Sequence, residues 1–183
     1  MKTIDEIGVH DLKEHLIRNW MTHDAMWFYH CLGSHGIEEA NRINRLAIRS
    51  LAAIELKRAL QLFEISRTDT FEGVKDAVDA AFCVSTGDFM RFGYTFPEKD
   101  LLCWEWEDET CFAYQGMKRM GVVDRYECGV IYRVQCWLDN LGIGYSVNPG
   151  FSNCLMHSTG RCTGSIRLIL PPENGFPVHD RDA

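Results

Sequence analysis

The chain has 183 residues and carries 19 lysines and arginines against 26 aspartates and glutamates, a formal net charge of −7. That balance excludes a nonspecific nucleic-acid binder, which needs clustered cations to neutralise phosphates. With 46% hydrophobic residues, and no run near the roughly 20 apolar residues of a membrane span, it reads as an ordinary globular chain able to bury one core.

The elements are read in chain order. Residues 11–32 repeat apolar side chains at helical spacing (Leu12, Leu16, Trp20, Trp27, Cys31), and Gly33 and Gly36 supply a stop. A second helix is expected over 37–63, with Ala40, Ile43, Ala47, Leu51 and Ile54 on its apolar stripe. Its cations, Arg42, Arg45, Arg49, Lys57 and Arg58, form a solvated face. A shorter helix follows at 71–82. The period then drops to two: 88–96 and 101–107 alternate around Pro97-Glu98-Lys99-Asp100, the pattern of a β-hairpin. Helices return at 110–120 and 126–141, closed by Gly121 and Gly142. Residues 144–170 read as strands, 165–170 most clearly, and 171–183 as a mobile tail. The fold class expected is α+β: a single domain over residues 1–170 with an N-terminal helical layer packed on an antiparallel sheet.

The first six residues, Met1-Lys2-Thr3-Ile4-Asp5-Glu6, contain no apolar signal region, so a cytoplasmic location is expected. The eight cysteines are then reduced thiols, buried or ligating metal, rather than disulfides.

Three constellations could carry chemistry. In Asn19-Trp20-Met21-Thr22-His23-Asp24-Ala25-Met26-Trp27-Phe28, the residues Asn19, His23, Trp27 and His30 run along one helix face, with Asp24 one step round. Ionisable groups beside tryptophans have shifted pKa values when they line a site. The alternative is a histidine hydrogen-bonded at the core's edge. On the second helix, Asn44 and Glu55 share a face with Ile48 and Leu51, which favour burial. Glu55 therefore pairs locally with Arg58 or faces a pocket and binds a cationic or amidine group. The third is Cys154-Leu-Met-His157-Ser-Thr-Gly-Arg-Cys162, whose Ser158-Thr159-Gly160 centre reads as a hairpin loop. A regular hairpin cannot turn both thiols and His157 to one side, so a three-ligand clip needs a bulge. Cys111 and Cys128, each near a helix start, would complete a tetrathiolate if those starts meet the hairpin. No Gly-rich phosphate loop, nucleophile elbow or HExxH is present.

Together, NWMTHDAMWF, IEEANRINRLAIRSLAAIELKR, CFAYQGMKRMGVVDRYECGVIYRVQCWLDNLG and CLMHSTGRCTGSIRL resemble the L-2-amino-thiazoline-4-carboxylic acid hydrolase family, over about residues 10–170. The C-terminal part also resembles 4-vinyl-reductase-type small-molecule-binding domains, where three cysteines matching Cys128, Cys154 and Cys162 are associated with metal. Family members often have an aspartate three residues after the first of these, where this chain has Ile131.

The first resemblance implies a hydrolase that opens the ring of a cyclic amidine, 2-amino-thiazoline-4-carboxylate, to a carbamoyl-cysteine on the way between thiazolines and cysteine. Water must add to the ring carbon, which calls for a base, a group that keeps the amidine protonated and a cation for the carboxylate. The residues assigned are His23 as base, Asp24 or Glu55 on the amidine, Arg58 on the carboxylate, and Trp27 and Asn44 as further substrate contacts. The cofactor implied is a divalent metal, zinc or manganese, on Cys128, Cys154 and Cys162 with His157 as a further candidate ligand; otherwise there is none. The second resemblance implies a non-catalytic or metal-dependent binding module for an apolar or tetrapyrrole-like ligand. Expected partners are a small-molecule substrate and, on self-association, a second copy, with neither nucleic acid nor membrane.

Overall fold

The computed structural model describes residues 3–170, so the tail expected at 171–183 lies outside the described residues. The two N-terminal helices are one element, α1 (Val9–Leu62), interrupted where Gly36 takes φ 81° and ψ 174°. That backbone region is essentially closed to residues with a Cβ. Gly36 therefore divides α1 into a first arm, 9–35, and a second, 37–62. Helix α2 (Phe71–Ser85) begins where the Thr70 hydroxyl accepts the Gly73 N–H at 3.1 Å.

Strands β1 (Phe92–Glu98) and β2 (Leu101–Trp106) form the expected hairpin. Helices α3 (Phe112–Arg119) and α4 (Gly129–Leu141) follow, then β3 (Gly144–Asn148), the short α5 (Leu155–Thr159) and β4 (Thr163–Ile169). The sheet has the order β1-β2-β4-β3 with every neighbour antiparallel. Strand alternation gives it one apolar face: Leu102, Trp104, Trp106, Ile166 and Leu168 are buried, whereas Glu105 and Arg167 point to solvent. Helix α1 packs on α2 and α4. The core joins the second arm, α2, α4 and the apolar sheet face in one hydrophobic cluster. The α+β class and the single compact domain are as expected. Among the described residues, no helix is long and apolar enough to cross a membrane.

Residues 154–162 differ from the expected hairpin. Gly160, at φ 77°, ends a helix here rather than turning two strands. The Thr159 hydroxyl interacts with the carbonyls of Leu155 and Arg161 at 3.0 and 2.9 Å. Leu155 and Met156 are buried on the inner side of this turn. A left-handed glycine serves both structures equally well, so the local sequence could not separate them.

Candidate functional site

A partly enclosed, mostly apolar space of about 180 Å³ lies between both arms of α1, the end of α2, α3, α4 and the start of the sheet. Its walls are mostly aromatic and thioether side chains, among them Trp20, Phe28, Phe92, Trp106, Met117 and Met120. Polar groups on the wall are few: Asp24 and Asn44 from α1, Arg133 from α4, and Ser85 and Thr86 at the end of α2. Gly116 sits mid-helix in α3, and a Cβ added there would meet nothing within 4 Å. An interior helical glycine costs about 0.5–1 kcal/mol relative to alanine. Here its missing side chain leaves room in the cavity.

Arg133 is the most constrained polar group on this wall. Its Nε donates to Glu55 Oε1 at 2.6 Å and its Nη2 donates to Oε2, a two-point pair. Trp137 Nε1 donates to the same Oε1 at 2.6 Å. The guanidinium lies 4.6 Å from the Trp20 ring centroid and 5.6 Å from that of Trp137, between two cation-attracting faces. Only 20% of the Arg133 side chain and 14% of Glu55 are accessible. A pair so buried must be well hydrogen-bonded to be tolerated, and this one is. Its geometry leaves Arg133 Nη1 without a hydrogen-bond acceptor among the described residues.

The assigned residues therefore divide. Asp24, at the mouth, and Asn44 line the pocket, and Glu55 stands behind it as the support of Arg133. His23 and Trp27 do not line it. One helical step turns them to a wider, open groove of about 450 Å³ at the bend of α1, with Met26, His30, Ser34, His35 and, from the second arm, Ile43. His23 Nδ1 lies 3.5 Å from Asp24 Oδ1, but with 73% and 58% of the side chains exposed this pair fixes little. Arg58 is exposed and makes no ion pair among the described residues, so Glu55 finds its cation across the core on α4 instead of three residues along its own helix. The sequence did hold a signal for Arg133. It is a lone cation between Ile131, Tyr132, Val134 and Trp137, all buried, and so requires a carboxylate just as Glu55 requires a cation.

Beneath the floor of this pocket lies a second, closed space of about 10 Å³, lined by Cys111, Cys128, Cys154 and Cys162 together with Trp106 and Tyr126. The four thiols converge because three of them occupy the same structural position. Cys111, Cys128 and Cys154 are the residues immediately before α3, α4 and α5. Local tethers set the approach. The buried Asn41 side chain donates to Arg125 O at 2.8 Å and accepts from Glu127 N at 3.3 Å. Cys128 N donates to Ser152 O at 3.1 Å, and Gly129 N donates to the Tyr126 hydroxyl at 3.1 Å. His157 is exposed on the outer side of α5, so the expected fourth ligand points away and Cys111 takes its place in the ring.

Burial pushes the Cys111 and Cys162 thiols up to about 12 and raises Cys128 and Cys154 in the same direction. Backbone N–H groups oppose this at Cys111 (from Tyr114 and Ala113), Cys128 (Ile131 and Val130) and Cys154 (His157 and Met156), without closing full capping hydrogen bonds. Tyr126, wholly buried beside them, is raised by the same desolvation. Among the described residues no three histidine, cysteine, aspartate or glutamate side chains stand at metal-ligating geometry.

Residues 4–86 match a family described as a family of unknown function (DUF6125). This stretch ends just after α2, so it holds Asp24, Asn44 and Glu55 but neither Arg133 nor the four clustered cysteines. No curated protein and no solved structure matches the chain.

Proposed function

We propose that this protein binds a flat small molecule of one or two rings bearing an anionic group. The observation that carries the reading is Arg133, clamped by Glu55, stacked between Trp20 and Trp137 and presented to an aromatic cavity. An arginine fixed in advance loses little freedom when it takes a carboxylate. The aromatic walls supply affinity, and the few polar groups supply orientation. At about 180 Å³ the cavity is below the roughly 300–1,000 Å³ of typical drug-sized sites, which favours a compact ligand over a tetrapyrrole. Calorimetric titration with 2-naphthoate and with its neutral amide tests this. Saturable binding of the acid and at least about tenfold weaker binding of the amide are expected, the scale of one lost charge-assisted hydrogen bond. Equal affinities, or none, would refute it.

One arrangement favours a catalytic second reading. Asp24 and Arg133 line a single pocket, and 2-amino-thiazoline-4-carboxylate carries both an amidinium and a carboxylate for them. In that reading Asp24, not His23, hydrogen-bonds the amidinium and takes the proton of the attacking water, and ring opening gives a carbamoyl-cysteine. The assay is release of free thiol from the thiazoline. Turnover by the wild type, lost in folded Asp24→Asn and kept in His23→Ala, supports hydrolysis. No turnover leaves the protein as a binder.

A further inference from the structure

We infer that the α2 end of the pocket, at Ser85 and Thr86, reads a hydrogen-bond donor, so that the ligand is a flat aromatic acid with a neutral amino group away from its anion. The inference rests on the binding reading above and names the class of ligand. It follows from where the side-chain protons at this end go. Ser85 Oγ donates to Ala81 O at 2.6 Å, Thr86 Oγ1 to Phe82 O at 2.7 Å, and Trp106 Nε1 to Met90 O at 2.8 Å. All three residues line the pocket beside Phe82, Met90 and Phe92, whose side chains have no proton to donate. A serine or threonine hydroxyl has one proton and two lone pairs. With that proton spent on the main chain, Ser85 and Thr86 can only accept from a ligand.

The helix end adds to this. Helix α2 stops at Ser85 with no basic residue in its last turn, and the end carbonyls of a helix leave partial negative charge at its C-terminus. Lys13 Nζ caps the Cys83 carbonyl at 3.1 Å, while the Ser85 and Thr86 hydroxyl oxygens accept no hydrogen bond among the described residues. Ser85 is 8% exposed, so a ligand group beside it is largely cut off from water and is costly if left unpaired. The spacing suits a compact ligand. The Trp137 ring lies 5.6 Å from the Arg133 guanidinium and 5.1 Å from the Phe82 ring, and Ser85 follows Phe82 by one turn on the same side of α2. A scaffold of one or two rings spans from the cation to the hydroxyls. A neutral arylamine brings two N–H groups for two hydroxyl oxygens, whereas a nitrile or carbonyl there sets lone pairs against lone pairs.

The test is calorimetric titration of four acids on one scaffold into the full chain: 2-naphthoate and its 6-amino, 6-methyl and 6-cyano derivatives. The methyl group matches the amino group in size without its N–H. The 6-amino compound should bind at least about fivefold tighter than the 6-methyl compound, the scale of one net neutral hydrogen bond. The 6-cyano compound, an acceptor, should bind more weakly than the 6-methyl compound. In the folded double variant Ser85→Ala, Thr86→Val the advantage of amino over methyl should fall below about twofold. Should that variant not fold, the order of the three derivatives on the wild type decides. Equal affinities for the amino and methyl compounds, tighter binding of the cyano compound, or an amino advantage that survives the double variant overturns the inference and leaves the aromatic site standing. Failure of 2-naphthoate and all three derivatives to bind overturns both.

Discussion

The two cavities share a wall, Trp106, Ala113, Tyr126, Val130 and Ile131 lining both, yet they are built in opposite ways. The upper pocket draws its walls from α1, α2, α3, α4 and the sheet, and its key polar contact, Glu55 to Arg133, spans 78 residues of sequence. The lower one comes from residues 106–162 alone and repeats a single device, a cysteine just before a helix. A space assembled from distant elements is kept open by what is missing (Gly116) and by a cation clamped in its wall. The space assembled by repetition is far smaller, about 10 Å³, and is lined mostly by apolar and thiol side chains. The upper pocket is therefore read as the place of exchange and the thiol ring as part of the packed core beside it.

The largest effect expected concerns the buried cation of the upper pocket. Arg133→Met leaves the Glu55 carboxylate mostly buried and unpaired and should cost about 3 kcal/mol, measured by urea unfolding; adding Glu55→Met should recover most of this, because a buried pair replaced by apolar groups is close to neutral. If the double variant is as unstable as the single one, the pair is not the isolated clamp described.

A smaller effect is expected on the wall of the upper pocket. A Cβ at Gly129 would stand 2.6 Å from Ile48 Cδ1 and 2.9 Å from Asn44 Nδ2, so Gly129→Ala should cost about 1–3 kcal/mol through overpacking and push Asn44 toward the pocket. Urea unfolding reads the first consequence and ligand titration the second. The smallest effect has the opposite sign. Gly116→Ala should stabilise α3 by about 0.5–1 kcal/mol, since nothing lies near the added methyl. A loss of stability there would mean that the space is not empty.

Much of the fold was legible because it rests on local signals. The break between the two helical arms follows from Gly36, and the β1–β2 hairpin from apolar alternation on either side of the turn at Lys99-Asp100, with Pro97 inside β1 where the register shifts. The sheet order and the joining of the four thiols were not legible, because both depend on which distant segments meet. For α1 the periodicity grouped His23 with Trp27 correctly, yet it could not say which face the rest of the chain would cover. The covered face carries Asp24 and Asn44; the open one carries His23 and Trp27. Glu55 was correctly seen to need a cation, but the local candidate Arg58 masked the distant one, and only the packing of α4 on α1 selects Arg133. His157 and Cys111 changed places because α5 turned out helical, which puts residue 157 on the side away from the cavity.

The central claim, that the aromatic space is a binding site and not a packing defect, is tested most directly by calorimetric titration of 2-naphthoate into the wild type and into Gly116→Leu. The added side chain occupies the cavity and should leave the fold at least as stable. The account predicts saturable binding to the wild type and none to the variant, with unfolding midpoints that are no lower in the variant. Equal binding to both proteins would contradict it.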